Sequence, residues 1–424
     1  MRPLAIYIHW PFCKSKCPYC DFNSHVRDSV EHERWQAALL RELDTMAQKV
    51  PDHRVTSIFF GGGTPSLMKP ATVESLIRRV HELWPVADNI EITLEANPTS
   101  VESSTFPDFK AAGINRVSLG VQSLDTEALR FLGREHSAHE ALHAIDLARK
   151  NFDRYSFDLI YARPQQTLAS WEAELTQAMA YVGGHLSLYQ LTIEENTAFH
   201  HAYAKGGFTL PDEAESEALY RLTESLLADR GLLAYEVSNY AKSGEESRHN
   251  LSYWKGDDYV GVGPGAHGRI SIPPSSPSFP RRRESSKAAS AAKKVFVLAP
   301  QVRLDSRLRG NDESNTIRIA TQTLKSPERW LENVEKNGHA MEVWEVIEPQ
   351  REVEERVMMG LRLREGISYE DFHQQTGMDL HGYISPSRRN LYVSKGLLVD
   401  DPTRLQPTLS GRLVLNQLTA ELLK

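Results

Sequence analysis

At 424 residues the chain exceeds the usual size of one domain, so two or three domains with a well-buried core are expected. Hydrophobic residues at 40% and charged residues at 25% match a soluble globular protein, and no run approaches the roughly 18 apolar residues of a membrane span. A net charge of −7 offers nucleic acid no overall positive field, and three cysteines without a secretory leader point to a reduced, cytoplasmic setting.

Leu4–His9 reads as an apolar strand that delivers the loop Trp10-Pro11-Phe12-Cys13-Lys14-Ser15-Lys16-Cys17-Pro18-Tyr19-Cys20, which holds every cysteine of the chain. The CxxxCxxC spacing suits an iron–sulfur cluster. Three thiolates from one loop can hold three irons of a [4Fe–4S] cube and leave the fourth open to a small molecule. A four-thiolate zinc site lacks a fourth cysteine, while a Cys3His site using His9 or His25 stays open.

Helical spacing follows over 31–49 (Trp35, Leu39, Leu43, Met46), then a buried strand at Val55–Phe60. The alternation continues with helices at 71–84, 101–112, 126–132, 138–150 and 169–181, and strands at 90–94, 116–120, 155–160 and 186–191. Six strands alternating with helices predict a parallel sheet with right-handed crossovers, short of the eight units of a closed barrel. The fold class expected is α/β.

In such folds chemistry gathers at the C-terminal ends of strands. There lie Gly61-Gly62-Gly63-Thr64-Pro65, whose glycines let backbone approach a ligand, then Glu95, Gln122 and, near the end of the fifth strand, Asp158. The cysteine loop, with an aromatic before its last cysteine, resembles the radical S-adenosylmethionine (SAM) superfamily. Tyr7, the cysteines, the glycine run, Glu95, Gln122, Arg134 and Asp158 recur in the order of its oxygen-independent coproporphyrinogen oxidase family. The resemblance implies that the α/β fold is an open (β/α)6 partial barrel and that Cys13, Cys17 and Cys20 ligate a [4Fe–4S] cluster. It also implies that Tyr7, Gly62, Gly63, Thr64, Glu95, Gln122, Arg134 and Asp158 hold SAM, with Arg134 on its carboxylate. One departure is Ala162-Arg163-Pro164, where that family has Gly-Leu-Pro.

An amphipathic helix over 212–230 leads to Tyr235-Glu236-Val237-Ser238-Asn239-Tyr240 and then His249-Asn250-Leu251-Ser252-Tyr253-Trp254, ahead of a glycine-rich stretch ending at Gly268. A lone histidine is more often a satisfied structural donor than a ligand. His and Tyr are nevertheless both axial heme ligand types. The HNxxYW string resembles the heme-binding motif of the HemW-type heme chaperones, which implies that His249 and Tyr253, in a segment near 235–268, meet heme. By that resemblance the chain is a heme chaperone that binds heme and passes it to apo-hemoproteins such as respiratory enzymes, with transient membrane association and without nucleic acid.

The competing expectation is coproporphyrinogen III dehydrogenase. The oxidases resemble CxxxCxxCxC and carry an extension before the cluster loop, whereas here Asp21-Phe22 follow Cys20 and the chain starts shortly before Cys13. Other SAM enzymes such as methyltransferases form a third class.

Residues 273–315 carry nine Lys/Arg against four Asp/Glu and are rich in Ser, Pro and Ala, which reads as a disordered basic insertion. Its short recurring peptides are those that an inverted nucleotide repeat could encode. The expected domains are therefore 1–272, the insertion 273–315, and a smaller unit at 316–424 whose helices and hairpin resemble a winged-helix module of the same family.

Overall fold

The computed structural model describes residues 1–273 and 316–424, so the expected insertion lies, apart from Pro273, outside the described residues. The chain divides into two compact units. The first is Met1–Ile270 with Thr321–Val343, and the second is built mainly from Trp344–Lys424. Residues 321–343, assigned from the sequence to the C-terminal unit, thus belong with the first.

All six expected strands form: β1 (Arg2–Trp10), β2 (His53–Gly62), β3 (Val86–Ala96), β4 (Arg116–Gln122), β5 (Arg154–Tyr161) and β6 (His185–Gln190). They lie side by side in chain order, and every neighbouring pair is parallel. Covered on both faces, they are continuous apolar runs: Leu4, Ala5, Ile6 and Ile8 on β1, and Val55, Ile58 and Phe60 on β2, have no exposed surface. The parallel α/β architecture is as expected.

A seventh parallel strand was not foreseen. β7 (Asp258–Val262) pairs with the free edge of β1, Tyr7 opposite Gly261 and Ile8 opposite Val262. Its glycines had suggested a loop. They are needed because a Cβ on Gly261 would lie 2.2 Å from the His267 carbonyl, and one on Gly263 2.3 Å from that of His9. The helix expected over 101–112 is also two pieces, Ser100–Ser103 and Phe106–Ala111. Pro107 stands in the first turn of the second piece, where its missing N–H costs nothing.

Helix α1 (His32–Ala47) buries the predicted Trp35, Leu39, Leu43 and Met46. Trp35 meets Trp10 and Phe12 edge-on and stacks on Trp330 at 5.2 Å. Trp330 stands on α2 (Pro327–Asn337). The same helix α1 carries Glu42, which has no exposed surface. Its carboxylate accepts from the Gly263 amide (2.9 Å), the Ala340 amide (2.9 Å) and Trp330 Nε1 (3.0 Å). One side chain therefore joins β1's neighbour β7, the 321–343 segment and α1.

In the second unit Ile367–Ser368, Arg404–Pro407 and Leu398–Asp400 form a small antiparallel sheet beside the helices Pro349–Gly360, Tyr369–Thr376 and Pro386–Ser394. This is the element set of a winged-helix module. Among the described residues no helix is long and apolar enough to cross a membrane.

Replacing Glu42 by Ala leaves three buried donors without an acceptor. The expected loss is at least about 3 kcal/mol, from roughly 1 kcal/mol or more per orphaned group, read as a lower midpoint in denaturant. An unchanged midpoint would mean that water enters and replaces the carboxylate.

Candidate functional site

Beyond β1 the chain makes a two-residue parallel ladder, Phe12–Cys13 against His25–Val26, and a turn closed by Cys20 N–H to Cys17 O at 3.1 Å. This presents three free thiols, Cys13 buried and Cys17 and Cys20 half-buried. The glycine run lies against this loop. Gly63 N–H donates to Trp10 O (2.7 Å) and Thr64 N–H to Phe12 O (2.9 Å). A Cβ on Gly63 would sit 2.7 Å from that same Phe12 oxygen. The close approach credited to a ligand in the sequence is made by the cysteine loop's own backbone.

One cavity at the C-terminal ends of β1–β5 is lined by Cys13, Cys17 and Cys20 together with Gly62, Gly63, Thr64, Glu95, Gln122, Arg134 and Asp158. Residues far apart in the chain are brought together here as the family pattern implied. Tyr19, the aromatic before the last cysteine, also lines it, as do Asn97, Glu102, Ser118 and His136, which were not singled out from sequence. Asn97 stands one residue past β3, so the strand-end rule that found Glu95 could have found it. Glu102 and His136 come from other segments and gave no sequence signal.

Tyr7, His249 and Tyr253 lie elsewhere. Tyr7 OH reaches His9 Nδ1 at 3.1 Å, and its ring stacks on Phe59. His249 lies not in a loop but on the helix Arg248–Trp254. It is 1% exposed. Its Nδ1 meets Ser57 Oγ at 3.0 Å and its Nε2 meets Tyr253 OH at 2.8 Å, with Phe59 stacked on the ring. Both nitrogens are occupied within the protein, so this conformation presents neither His249 nor Tyr253 as a heme ligand.

Two of the carboxyls that line the cavity, Glu95 and Asp158, differ in charge state. Burial, then the charge of Asp158, pushes Glu95 up to about 8, against the Gly62 amide that donates to it at 3.3 Å. Burial pushes Asp158 up to about 6, opposed by the Ser187 hydroxyl and by Arg116 and Arg134. Near neutrality Asp158 is an acceptor, while Glu95 is largely protonated and can also donate. Such a pair suits a ligand bearing hydroxyl and ammonium groups.

Arg134 is committed on one side. Both hydrogens of Nη2 go to Asn97 Oδ1 (2.6 Å) and Gly120 O (2.8 Å), and Nη1 donates to Cys17 Sγ at 3.2 Å. A fork onto a ligand carboxylate would need Nη2 released. Arg163, at the Ala-Arg-Pro departure, turns away from the cavity into a buried pair with Glu174.

The donors suit charged sulfur. Burial pushes the Cys13 thiol up while the Thr64 hydroxyl opposes it, Arg134 faces Cys17, and Ser24 Oγ lies 3.7 Å from Cys20. Among the described residues no group of three His, Cys, Asp or Glu side chains converges on a single ion. Of the zinc alternative's candidate fourth ligands, His9 has Nδ1 on Tyr7 OH at 3.1 Å and Nε2 on Asn23 O at 2.9 Å, and His25 has Nε2 on Asn23 Oδ1 at 3.2 Å. The thiols fit a cluster with several irons better than one ion.

The comparisons agree with this geometry. The family model "Radical SAM superfamily" matches residues 7–177, and "HemN C-terminal domain" matches 347–414. Radical S-adenosyl methionine domain-containing protein 1, mitochondrial, of Mus musculus is 35% identical over 423 residues, 99% of this chain and 87% of that protein. Heme chaperone HemW of Escherichia coli K12 is 42% identical over 275 residues, 64% of this chain and 72% of that protein. The solved coproporphyrinogen III oxidase HemN of Escherichia coli, described as a radical SAM enzyme, has a TM-score of 0.73 at 20% identity, covering 99% of this chain and 90% of that one. That last likeness establishes the fold.

Burial holds His249 down to about 3, against 6.5 for a free histidine. As pH falls below 6.5 the unfolded chain takes up a proton that the folded chain refuses. The stability His249 contributes is therefore present above 6.5 and is lost progressively toward pH 3. Replacing His249 by Gln should lower stability at pH 7 yet shrink the further loss between pH 7 and 5 by about 2 kcal/mol, at about 1.4 kcal/mol per unit. Denaturant titrations of the cluster-free protein at both pH values check this.

Proposed function

Because the chain belongs to the radical SAM superfamily, in the family that includes the HemW heme chaperones and radical S-adenosyl methionine domain-containing protein 1, we propose that it is a heme chaperone built on a radical SAM core. The observation that carries this reading is the cavity: all three cysteines of the chain face the strand-end groups Glu95, Gln122 and Asp158 across it. Cys13, Cys17 and Cys20 hold a [4Fe–4S] cluster. Asp158 and Glu95 take the hydroxyl and amino groups of SAM, and Gln122 and the backbone around Gly62 and Gly63 complete the walls. Bound together, cluster and SAM supply one-electron chemistry or a switch in conformation.

Heme is the cargo, and apo-hemoproteins are its acceptors. In the conformation described, the His249–Tyr253 pair is closed, so heme ligation by either residue requires the Arg248–Trp254 helix to leave Ser57 and Phe59. A cytoplasmic location is part of the proposal and is supported by the free thiols.

Anaerobic reconstitution tests the reading on one sample. The expected result is about four irons per chain, a Soret band on heme titration, and no conversion of coproporphyrinogen III. Substitution of Cys13, Cys17 or Cys20 by Ser should remove the iron chromophore, since each thiolate is needed when only three exist. Turnover of coproporphyrinogen III by the loaded protein would replace the chaperone reading with the dehydrogenase.

A further inference from the structure

We propose that Asn97 is a positioning residue for the sulfur ligands: its one side-chain amide fixes a donor on Cys17 and a donor on Cys13, and so sets the reduction potential of the cluster. The inference rests on the cluster reading above and goes beyond it, because Asn97 touches neither thiol.

The amide works in both directions. Asn97 Oδ1 accepts from Arg134 Nη2 at 2.6 Å, and Asn97 Nδ2 donates to Thr64 Oγ1 at 3.3 Å. The amide cannot be reversed, because its NH2 would then face the N–H groups of Arg134. With Nη2 held by Asn97 and by Gly120 O, the guanidinium is pinned and Nη1 is left against Cys17 Sγ at 3.2 Å. With its oxygen already accepting from Asn97, the Thr64 hydroxyl keeps its hydrogen for Cys13, whose charged form it favours.

Asn97 is itself fixed. Its backbone N–H donates to Glu102 Oε2 at 3.0 Å, and its Nδ2 also lies 3.4 Å from Glu102 Oε1. Glu102 is 4% exposed and takes the Ser66 hydroxyl as well, from just beyond the glycine run. The buried carboxylate thus locks the strand end to the glycine loop, and Asn97 passes that order to two of the three sulfurs.

A donor on a ligating thiolate draws charge from the sulfur and favours the reduced, more negative cluster, so it raises the potential. Loss of Asn97 leaves Arg134 Nη2 with Gly120 O alone and removes the donor that orients the Thr64 hydroxyl. The effect is felt by two ligands although no ligand is changed.

The test is potentiometry of the anaerobically reconstituted full chain without SAM, with dithionite as reductant and the reduced cluster followed by electron paramagnetic resonance. Asn97→Ala is expected to keep its iron and to show a lower midpoint potential than the wild type. Thr64→Val, nearly isosteric, removes one donor and should shift the midpoint in the same direction by less, and Thr64→Ser should restore it. Thermal melts of each variant identify any general loss of structure. Iron-loaded Asn97→Ala and Thr64→Val with wild-type midpoints would overturn the proposal alone. A wild-type chain that takes up no iron under these conditions would defeat the cluster reading and the proposal with it.

Discussion

The site depends on backbone lying against backbone. Cysteine side chains can face a cavity together only if the loop between them is held, and this loop has little regular structure of its own. It is held by Gly63 and Thr64, whose amides donate to Trp10 O and Phe12 O as an extension of the β1–β2 pairing. A side chain at position 63 would collide with the peptide it pairs with. From the other side Trp35 packs on Trp10 and Phe12 and is backed by Trp330. The ladder fixes the register of the loop, and the aromatic packing keeps it on the sheet. Register decides function here, since a slip of one residue would turn Cys13 away from the cavity.

The HNLSYW segment belongs to the same support system. Ser247 caps its helix, and Glu91 on β3 accepts from the His249 amide at 3.2 Å. Burial alone would raise Glu91, but Arg116 and Arg154 hold it below the usual carboxylate range, and Arg154 pairs with it at 2.7 Å. A charged, buried carboxylate with such partners is costly to disturb. His249 then completes the attachment through Ser57 on β2. A histidine and a tyrosine four residues apart can signal a ligand pair or a hydrogen-bonded strut. Only the positions of Ser57 and Phe59, almost two hundred residues earlier, tell the two apart.

This explains what could be read in the sequence and what could not. The six strands and α1 were legible because each is defined by its own apolar pattern. Cys13, Cys17 and Cys20 were legible from their spacing, and Glu95, Gln122 and Asp158 because the fold rule puts strand ends at the cavity they line. β7 was hidden because it becomes a strand only by pairing with β1, and Gly261 and Gly263 look like loop residues until the His267 and His9 carbonyls are placed beside them. Glu102 was hidden inside an expected continuous helix. In the fold that helix breaks and its carboxylate turns to Asn97 and Ser66. Long-range contacts decided each of these positions, and local propensity carries no record of them.

The Ala162-Arg163-Pro164 departure shows how a change beside the site can be absorbed without entering it. Ala162 has φ of 55°, a left-handed conformation that glycine adopts freely and that costs an alanine about 1 kcal/mol or more. The neighbouring Arg163 supplies compensation. Its guanidinium pairs with Glu174, and Nη1 donates to Ser123 Oγ at 2.5 Å, all in a buried setting. Glu174 in turn accepts from the Leu124 amide at 2.9 Å. Ser123 and Leu124 directly follow Gln122, which lines the cavity in a left-handed turn of its own, at φ of 69°. Arg163 therefore braces the turn that aims Gln122, so a residue outside the cavity wall helps to hold one within it.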